Sequence, residues 1–503
     1  MAGPRQLEGG DKYPHLQTSI RTLSDVPHCS QPIVPGNVQA DRGVLPTMQT
    51  SSGLELDDVF EGERSVPAAT TRRRLVWLRK GFLALLDQGL LSGSNFFIAI
   101  LLARWLSRDE YGAYAMGFSI FILLSGFHNA FFLEPMSVFG PEAYAGCLGT
   151  YVKKLLGFQF VFTLLLSALT GVGVLLLPFF VIDHSLTSAM WGVCLSVPLI
   201  LFYWICRRVA YLKFAPGLAV LGSATYCASA LVLVLVLREW LSPFTGFLIQ
   251  ALAAMPAVVV LWASLGSSAE PQAGPSNPKI LRQHWRYGRW VLGSAIVNWV
   301  SGYAYYVIVG ALLPMQDVAA LRALRNLTEP CYRAMAAIIL LVLPWASARL
   351  VEEGIQGLRR RTRQLNLLFG GCALIYFLAL CVFGNRVMNL LYAGRYNGSS
   401  HLLVLATAPL VFIAASLGSE IAVQVMQSPS EVFLAYGASG ALTFLLGVPF
   451  THYWGLVGGL VSILISSATV WLVLTYRCQR RLQAFAPTPP TATGALPEGM
   501  DLA

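Results

Sequence analysis

The sequence predicts an all-α polytopic membrane protein of about twelve transmembrane helices, set as two six-helix lobes around a central cavity. Three observations carry this. Only 12% of the residues are charged and 55% are hydrophobic, where a soluble domain carries roughly 25% charged. The apolar residues gather in runs close to the roughly 20 that a helix needs to cross a bilayer. Lysine and arginine then collect on alternate connections between those runs.

Residues 1–75 are polar, rich in Gly, Pro, Ser and Thr, and lack the apolar core of a signal peptide. Together with a shorter tail at 481–503 they read as disordered cytoplasmic segments. Between them lie twelve apolar runs: 82–103, 112–133, 155–177, 187–205, 216–237, 244–265, 290–313, 318–347, 365–384, 402–422, 431–450 and 454–476. The longest polar connection, 267–289, divides them six and six. It is expected to be a cytoplasmic linker between an N-terminal lobe at 76–266 and a C-terminal lobe at 290–480.

Charge orients the runs. With the N-terminus inside, 22 Lys and Arg fall on inner connections and 5 on outer ones, which predicts both termini inside and an even number of spans. The net charge of +10 is therefore a topology signal and calls for no nucleic-acid partner. The nine cysteines have no ligand spacing and sit mostly in apolar runs, where Cys acts as a small hydrophobe. No metal site is expected from them.

The halves align weakly at an offset of 207, which places Asp87 over Ser294 and Ser94 over Ser301. A repeat with the same in-to-out start is a parallel one, as in several transporters. Both first helices carry a polar stripe: Asp87, Ser94 and Asn95 in span one, and Ser294, Asn298, Ser301 and Tyr305 in span seven. One reading is helix–helix adhesion, which uses such residues in membranes. The other is a pair of cavity-lining helices, with Asn95, Asn298 and Tyr305 toward the cargo. A carboxylate inside a span, as at Asp87, is costly and usually faces water or a partner.

The densest charge is LRALRNLTEPCYRA at 321–334. On a helical wheel Arg322, Arg325, Asn326, Glu329 and Arg333 share an arc of about 100° that extends about 16 Å along the axis. Either 318–333 is an amphipathic helix lying on the outer surface, or span eight begins at Asp317 and its charged face lines a cavity. The apolar stretch from Ala334 to Ser347 is too short to cross alone, so the span recruits the stripe. Arginine forks grip phosphate or carboxylate in two places and keep their charge when partly desolvated, which predicts an anionic cargo. Pro330 is expected to kink the helix.

The segments NFFIAILLARWLSRDEYGAYAMGFSI (95–120), EPM (134–136), GP (140–141), LRALRNLTEP with LVLPWAS, and GRYNGSSHLLVLATAPL (394–410) resemble polysaccharide-exporter flippases. Those belong to the multidrug/oligosaccharidyl-lipid/polysaccharide (MOP) exporter superfamily. The resemblance covers about residues 75–480, with LAR-x-LS-xx-EYG its most specific part. It implies two six-helix lobes around a V-shaped cavity in a bacterial inner membrane. It further implies movement of a polyprenyl-pyrophosphate-linked oligosaccharide between leaflets by alternating access, with glycan polymerase and glycosyltransferases as functional partners. Asp87, Glu134 and Glu420 are candidates for a coupling Na⁺ or H⁺ site, and no other cofactor is expected. An ion-coupled multidrug or cation antiporter of the same fold is the nearest alternative. It would want carboxylates where this chain has arginines. A membrane-embedded glycan polymerase, ligase or acyltransferase is the alternative from the enzymes, and the short loops and the lone intramembrane His128 argue for a non-enzyme.

Overall fold

The computed structural model describes residues 67–179, 183–265 and 275–484. Most of the 1–75 tail, residues 267–274 of the linker and 485–503 of the closing tail lie outside the described residues. The described residues are helical throughout, without strands.

The N-terminal lobe comprises α1 (Pro67–Trp105), α2 (Arg108–His128), α3 (Glu134–Ala143), α4 (Leu148–Leu176), α5 (His184–Leu212), α6 (Pro216–Val236) and α7 (Pro243–Leu265). The C-terminal lobe comprises α8 (Asn277–Gly302), α9 (Ala304–Leu312), α10 (Met315–Asn326), α11 (Glu329–Tyr392), α12 (Leu403–Thr407), α13 (Pro409–Val425), α14 (Pro429–Leu445) and α15 (Gly447–Ala484). Among the described residues nine helices are long and apolar enough to cross a membrane, or ten when α8 and α9 are counted as one bent span. Of the other two expected spans, α14 has only 17 residues.

Local chemistry sets the breaks. Ser107 and Glu110 form a capping box at the start of α2: the Glu110 amide donates to Ser107 Oγ at 3.2 Å, and the Ser107 amide donates to Glu110 Oε2 at 2.9 Å. Two orphan amides at the helix start are thereby satisfied, which is the physical content of the LS-xx-E motif. α2 continues into α3 through one wide turn at Asn129–Leu133. Span seven bends by 45° between α8 and α9. α11 runs for 64 residues but turns at Gly354, whose φ of +66° and ψ of −164° only glycine adopts without strain. That turn separates spans eight and nine.

The parallel repeat is written in the backbone. At the turn from α5 to α6, Lys213, Phe214, Ala215 and Leu218 amides donate to Val209, Tyr211, Ala210 and Ala215 carbonyls. At the turn from α13 to α14, Met426, Gln427, Ser428 and Glu431 amides donate to Ala422, Gln424, Val423 and Ser428 carbonyls. Every donor and acceptor is displaced by 213 residues. Phe214 and Gln427 both take a positive φ, 52° and 53°, just ahead of Pro216 and Pro429. No residue identity is shared at those four donor positions, so side-chain similarity alone does not reveal this register.

The lobes meet at both ends of the bundle. At the basic end the start of α8 packs on the N-terminal lobe, with His284 against the Tyr151 hydroxyl at 2.8 Å and the Phe131 carbonyl at 2.7 Å. A second contact lies at the end opposite the starts of α1 and the end of α15, here termed the far end. Gly112 on α2 lies so close to α10 that an added Cβ would sit 1.9 Å from the Met315 carbonyl oxygen. With lipid as poor a competitor as another apolar chain, close backbone approach and hydrogen bonds hold such interfaces. Arg108 donates to the Arg395 carbonyl and Arg395 donates to the Leu106 carbonyl. Gln316 donates to Asp109 at 3.1 Å. Arg108 also stacks over Tyr396 at 5.6 Å. Two arginines thus clasp each other's loops across the lobes.

Candidate functional site

Just below this clasp, α10 buries Arg322 to 6% exposure. Its guanidinium lies 4.4 Å over the Phe118 ring of α2 and 5.8 Å from the Tyr306 ring of α9. Its Nε has no hydrogen-bond partner. Burying a cation is expensive unless something compensates, and aromatic faces offset only about 2 kcal/mol each when desolvated. Arg325 is half-buried, lies 5.5 Å from the Tyr306 ring and donates Nη1 to the Gly302 carbonyl at 2.6 Å. Gly302 ends α8, and the break after it frees a carbonyl at the negative pole of that helix. The bend in span seven thereby creates the acceptor that holds Arg325.

Glu329 opens α11, where the helix dipole favours an acid, and it pairs with Arg333 at 3.4 Å. Arg333 is 51% exposed there. Glu329 lies within electrostatic reach of Arg322 and Arg325, yet neither arginine has an ion pair among the described residues. Asn326 donates to the Tyr111 hydroxyl at 2.9 Å and approaches that of Tyr392 at 3.5 Å, tying α10 to both lobes. The stripe is therefore divided between two helices: α10 ends at Asn326 and α11 begins at Glu329, just ahead of Pro330. A surface helix is ruled out, since Val318 to Leu324 and Asn326 are all buried.

The other expected positions separate. Asn298 is exposed on α8. Asn95 is half-buried and accepts from the Tyr226 hydroxyl of its own lobe at 3.4 Å. Tyr305 does not share the face of Asn298. It is fully buried and its hydroxyl contacts Ser462 and Ser466 Oγ at 2.9 and 3.0 Å. The expectation assumed a straight span seven, and the bend at Tyr303 turns Tyr305 onto α15.

The three carboxylates differ as well. Asp87 is fully buried and saturated. Arg207 Nε reaches both its oxygens at 2.9 Å and Arg207 Nη2 one of them at 2.5 Å, while the Tyr211 and Ser223 hydroxyls donate at 2.5 Å. Glu134 accepts from Asn129 at 3.2 Å beside the wide turn. Glu420 on α13 is hydrogen-bonded by Tyr436 of α14 and by Gln424 at 3.4 Å, with no ion pair among the described residues. Among those residues no three His, Cys, Asp or Glu side chains gather as a metal-binding group. His128 is fully buried against Phe132, at 5.6 Å between rings, and neither of its ring nitrogens has a partner.

Span two was not among the expected site residues, although it supplies Tyr111, Phe118 and Ser119. The Ser119 hydroxyl donates to the Tyr303 carbonyl at 2.9 Å, and the Ser119 carbonyl accepts from Trp299 Nε1 at 2.7 Å. Its signal was present in YGAYAMGFS, with Tyr111, Tyr114 and Phe118 on one helical face beside small residues. Tyr303 and Tyr306, at the bend of span seven, needed the bend to be known.

No family model and no curated protein matches the chain by sequence. Solved structures do match by fold. An inward-facing multidrug resistance MATE family transporter of the MOP superfamily aligns with a TM-score of 0.70 at 13% identity, over 80% of this chain and 96% of that one. An outward-facing MATE family transporter of the same superfamily gives 0.54 at 12% identity, over 82% and 96%. The lipid II flippase MurJ in an inward closed conformation gives 0.59 at 12% identity, over 82% and 90%. The chain is a multi-pass membrane protein with the two-lobed fold of the MOP exporters. Within that fold it is similar to MATE transporters and to MurJ alike.

Proposed function

We propose that this protein is a flippase for a lipid-linked oligosaccharide carried on polyprenyl pyrophosphate, in a bacterial inner membrane with both termini cytoplasmic. The observation that carries the reading is Arg322 with Arg325: two cations inside the lobe interface, held by aromatic faces and a backbone carbonyl rather than by acids. A cavity that meets a cationic drug has no use for them, and a diphosphate does. The far-end clasp and the higher similarity to an inward-facing form (0.70 against 0.54) support a conformation closed at the far end. Arg333, the exposed member of the stripe, meets the headgroup first. Arg325 follows, and Arg322 is uncovered when the lobes part at the far end. The polyprenyl tail stays in lipid while the sugar crosses.

Of the three carboxylates, Glu420 is the proposed coupling group for H⁺ or Na⁺. Asp87 has every lone pair occupied, and Glu134 lies at a helix start. The carboxylate in the C-terminal lobe and the MATE-like fold also favour a second reading, an ion-coupled cation antiporter. One assay separates them. In proteoliposomes holding a fluorescent polyprenyl-diphosphate disaccharide, flipping is read from quencher protection. Arg322→Ala and Arg325→Ala are expected to slow it by roughly tenfold or more, the worth of a charged hydrogen bond, and Lys to rescue poorly. Normal flipping in both Ala variants sinks the reading. Uptake of a cationic dye without any flipping turns it to the antiporter.

A further inference from the structure

At the opposite end from the clasp, the C-terminal lobe carries a cleft of about 240 Å³ lined by Glu431, Arg477, Arg480, Arg481 and Ala484. Glu431, on α14, is only 2% exposed. Arg477 and Arg481, one turn apart on α15, each donate Nε–H to a different oxygen of it, at 2.5 and 2.7 Å. Both guanidiniums are thus engaged by one edge, and their Nη amino groups have no partner among the described residues. Their side chains stay 33% and 44% exposed. Arg480 adds a third fork that is exposed and makes no described hydrogen bond. Three arginines around one acid leave a net charge of +2 on the cleft.

A buried acid that grips two arginines by Nε fixes the free sides of their forks, the geometry that suits a tetrahedral oxyanion. The flank beside the cleft is apolar. Leu472 and Tyr476, which share a helical face with Arg480 at i, i+4 and i+8, are 57% and 61% exposed, and Phe433 and Leu434 of α14 are both 48% exposed. An exposed apolar ladder ending in an aromatic and then an arginine is the pattern of a membrane boundary. The partner-lobe position displaced by 213 from Glu431 is Leu218, and that from Arg477 is Ser264, so the repeat does not require this cluster.

We infer that this cleft binds the headgroup phosphate of an anionic phospholipid in the leaflet facing the basic end, which is the cytoplasmic leaflet in the orientation proposed above. Basic pockets between helices at that boundary are a recognised way to hold such headgroups. The site lies outside the arginine stripe and stands independently of which cargo is carried.

The test is the melting temperature of the full-length protein in detergent, titrated with phosphatidylglycerol, with phosphatidylcholine of the same chains, or with inorganic pyrophosphate. Phosphatidylglycerol is expected to raise it saturably and phosphatidylcholine to leave it unchanged. Arg480→Gln, which touches no bond to Glu431, is expected to weaken the phosphatidylglycerol response about fivefold at unchanged ligand-free melting temperature. Equal responses to the two lipids overturn the inference, as does an unaltered response in Arg480→Gln. An equal response to pyrophosphate alone also overturns it, by assigning the cleft to a soluble anion.

Discussion

The two lobes share a turn to the hydrogen bond, yet fill the space beside it with opposite chemistry. In the N-terminal lobe Arg207, Tyr211 and Ser223 close around Asp87. Displaced by 213 residues, the same three positions hold Glu420, Gln424 and Tyr436, which bond one another. The weak sequence alignment at an offset of 207 puts Ser294 of span seven over Asp87, and Ser294 is exposed and donates only to its own helix, to the Trp290 carbonyl at 3.4 Å. At these matched positions one lobe therefore holds a buried acid neutralised by an arginine, and the other an acid with hydrogen bonds but no cation. The second lobe has its ion pairs elsewhere, among them Glu431 with Arg477 and Arg481. A buried pair resists change because either charge alone is costly to strand. An acid without a cation is free to exchange one. The difference assigns a structural role to Asp87 and the proposed ion coupling to Glu420.

The largest test of this contrast removes the cation. Arg207→Ala strands Asp87 away from water and is expected to cost about 3–5 kcal/mol, read as lost thermal stability and yield of purified protein. Asp87→Asn in that background should recover part of the loss, since a neutral amide is cheaper to bury. An Arg207→Ala protein as stable as the parent would mean that the pair does not lock the lobe.

Glu420→Gln comes next and should behave in the opposite way. It keeps the shape and the Tyr436 contact, strands no cation, and is expected to shift stability by less than about 1 kcal/mol. Transport driven by an ion gradient should disappear while exchange of cargo without a gradient persists. If gradient-driven transport survives in Glu420→Gln and fails in Asp87→Asn, the assignment of the two acids is reversed.

Much of this fold is legible in the sequence. Hydropathy and charge bias placed twelve spans, and the helices α1, α2, α4, α5, α6 and α7 fall on the first six of them. The charge between Arg322 and Arg333 was legible, but the break between Asn326 and Glu329 was not, because a single wheel assumes one continuous helix. Tyr305 was misplaced because a 45° bend leaves no mark in a periodicity count. The Asp87–Arg207 pair joins residues 120 apart, and one sequence gives no means of pairing charges at that separation. The repeat itself was visible only faintly. What the lobes share is backbone geometry around Phe214 and Gln427, and side chains at those positions differ.

The smallest expected effect belongs to Ser294, and it tests the equivalence most directly. The sequence alignment at an offset of 207 matches Asp87 to Ser294, so a purely positional argument gives them equal weight. The contacts give them unequal weight: Asp87 accepts from three side chains of two neighbouring helices, all at 2.9 Å or less, whereas Ser294 bonds only its own helix. Ser294→Ala should therefore change stability by no more than about 0.5 kcal/mol and leave gradient-driven transport intact. Thermal melts of Ser294→Ala beside Asp87→Ala read the contrast in one experiment, since Asp87→Ala strands Arg207 and is expected to cost about 3–5 kcal/mol. If Ser294→Ala proves as damaging as Asp87→Ala, span seven anchors its lobe as span one does, and Glu420 loses the freedom that coupling requires.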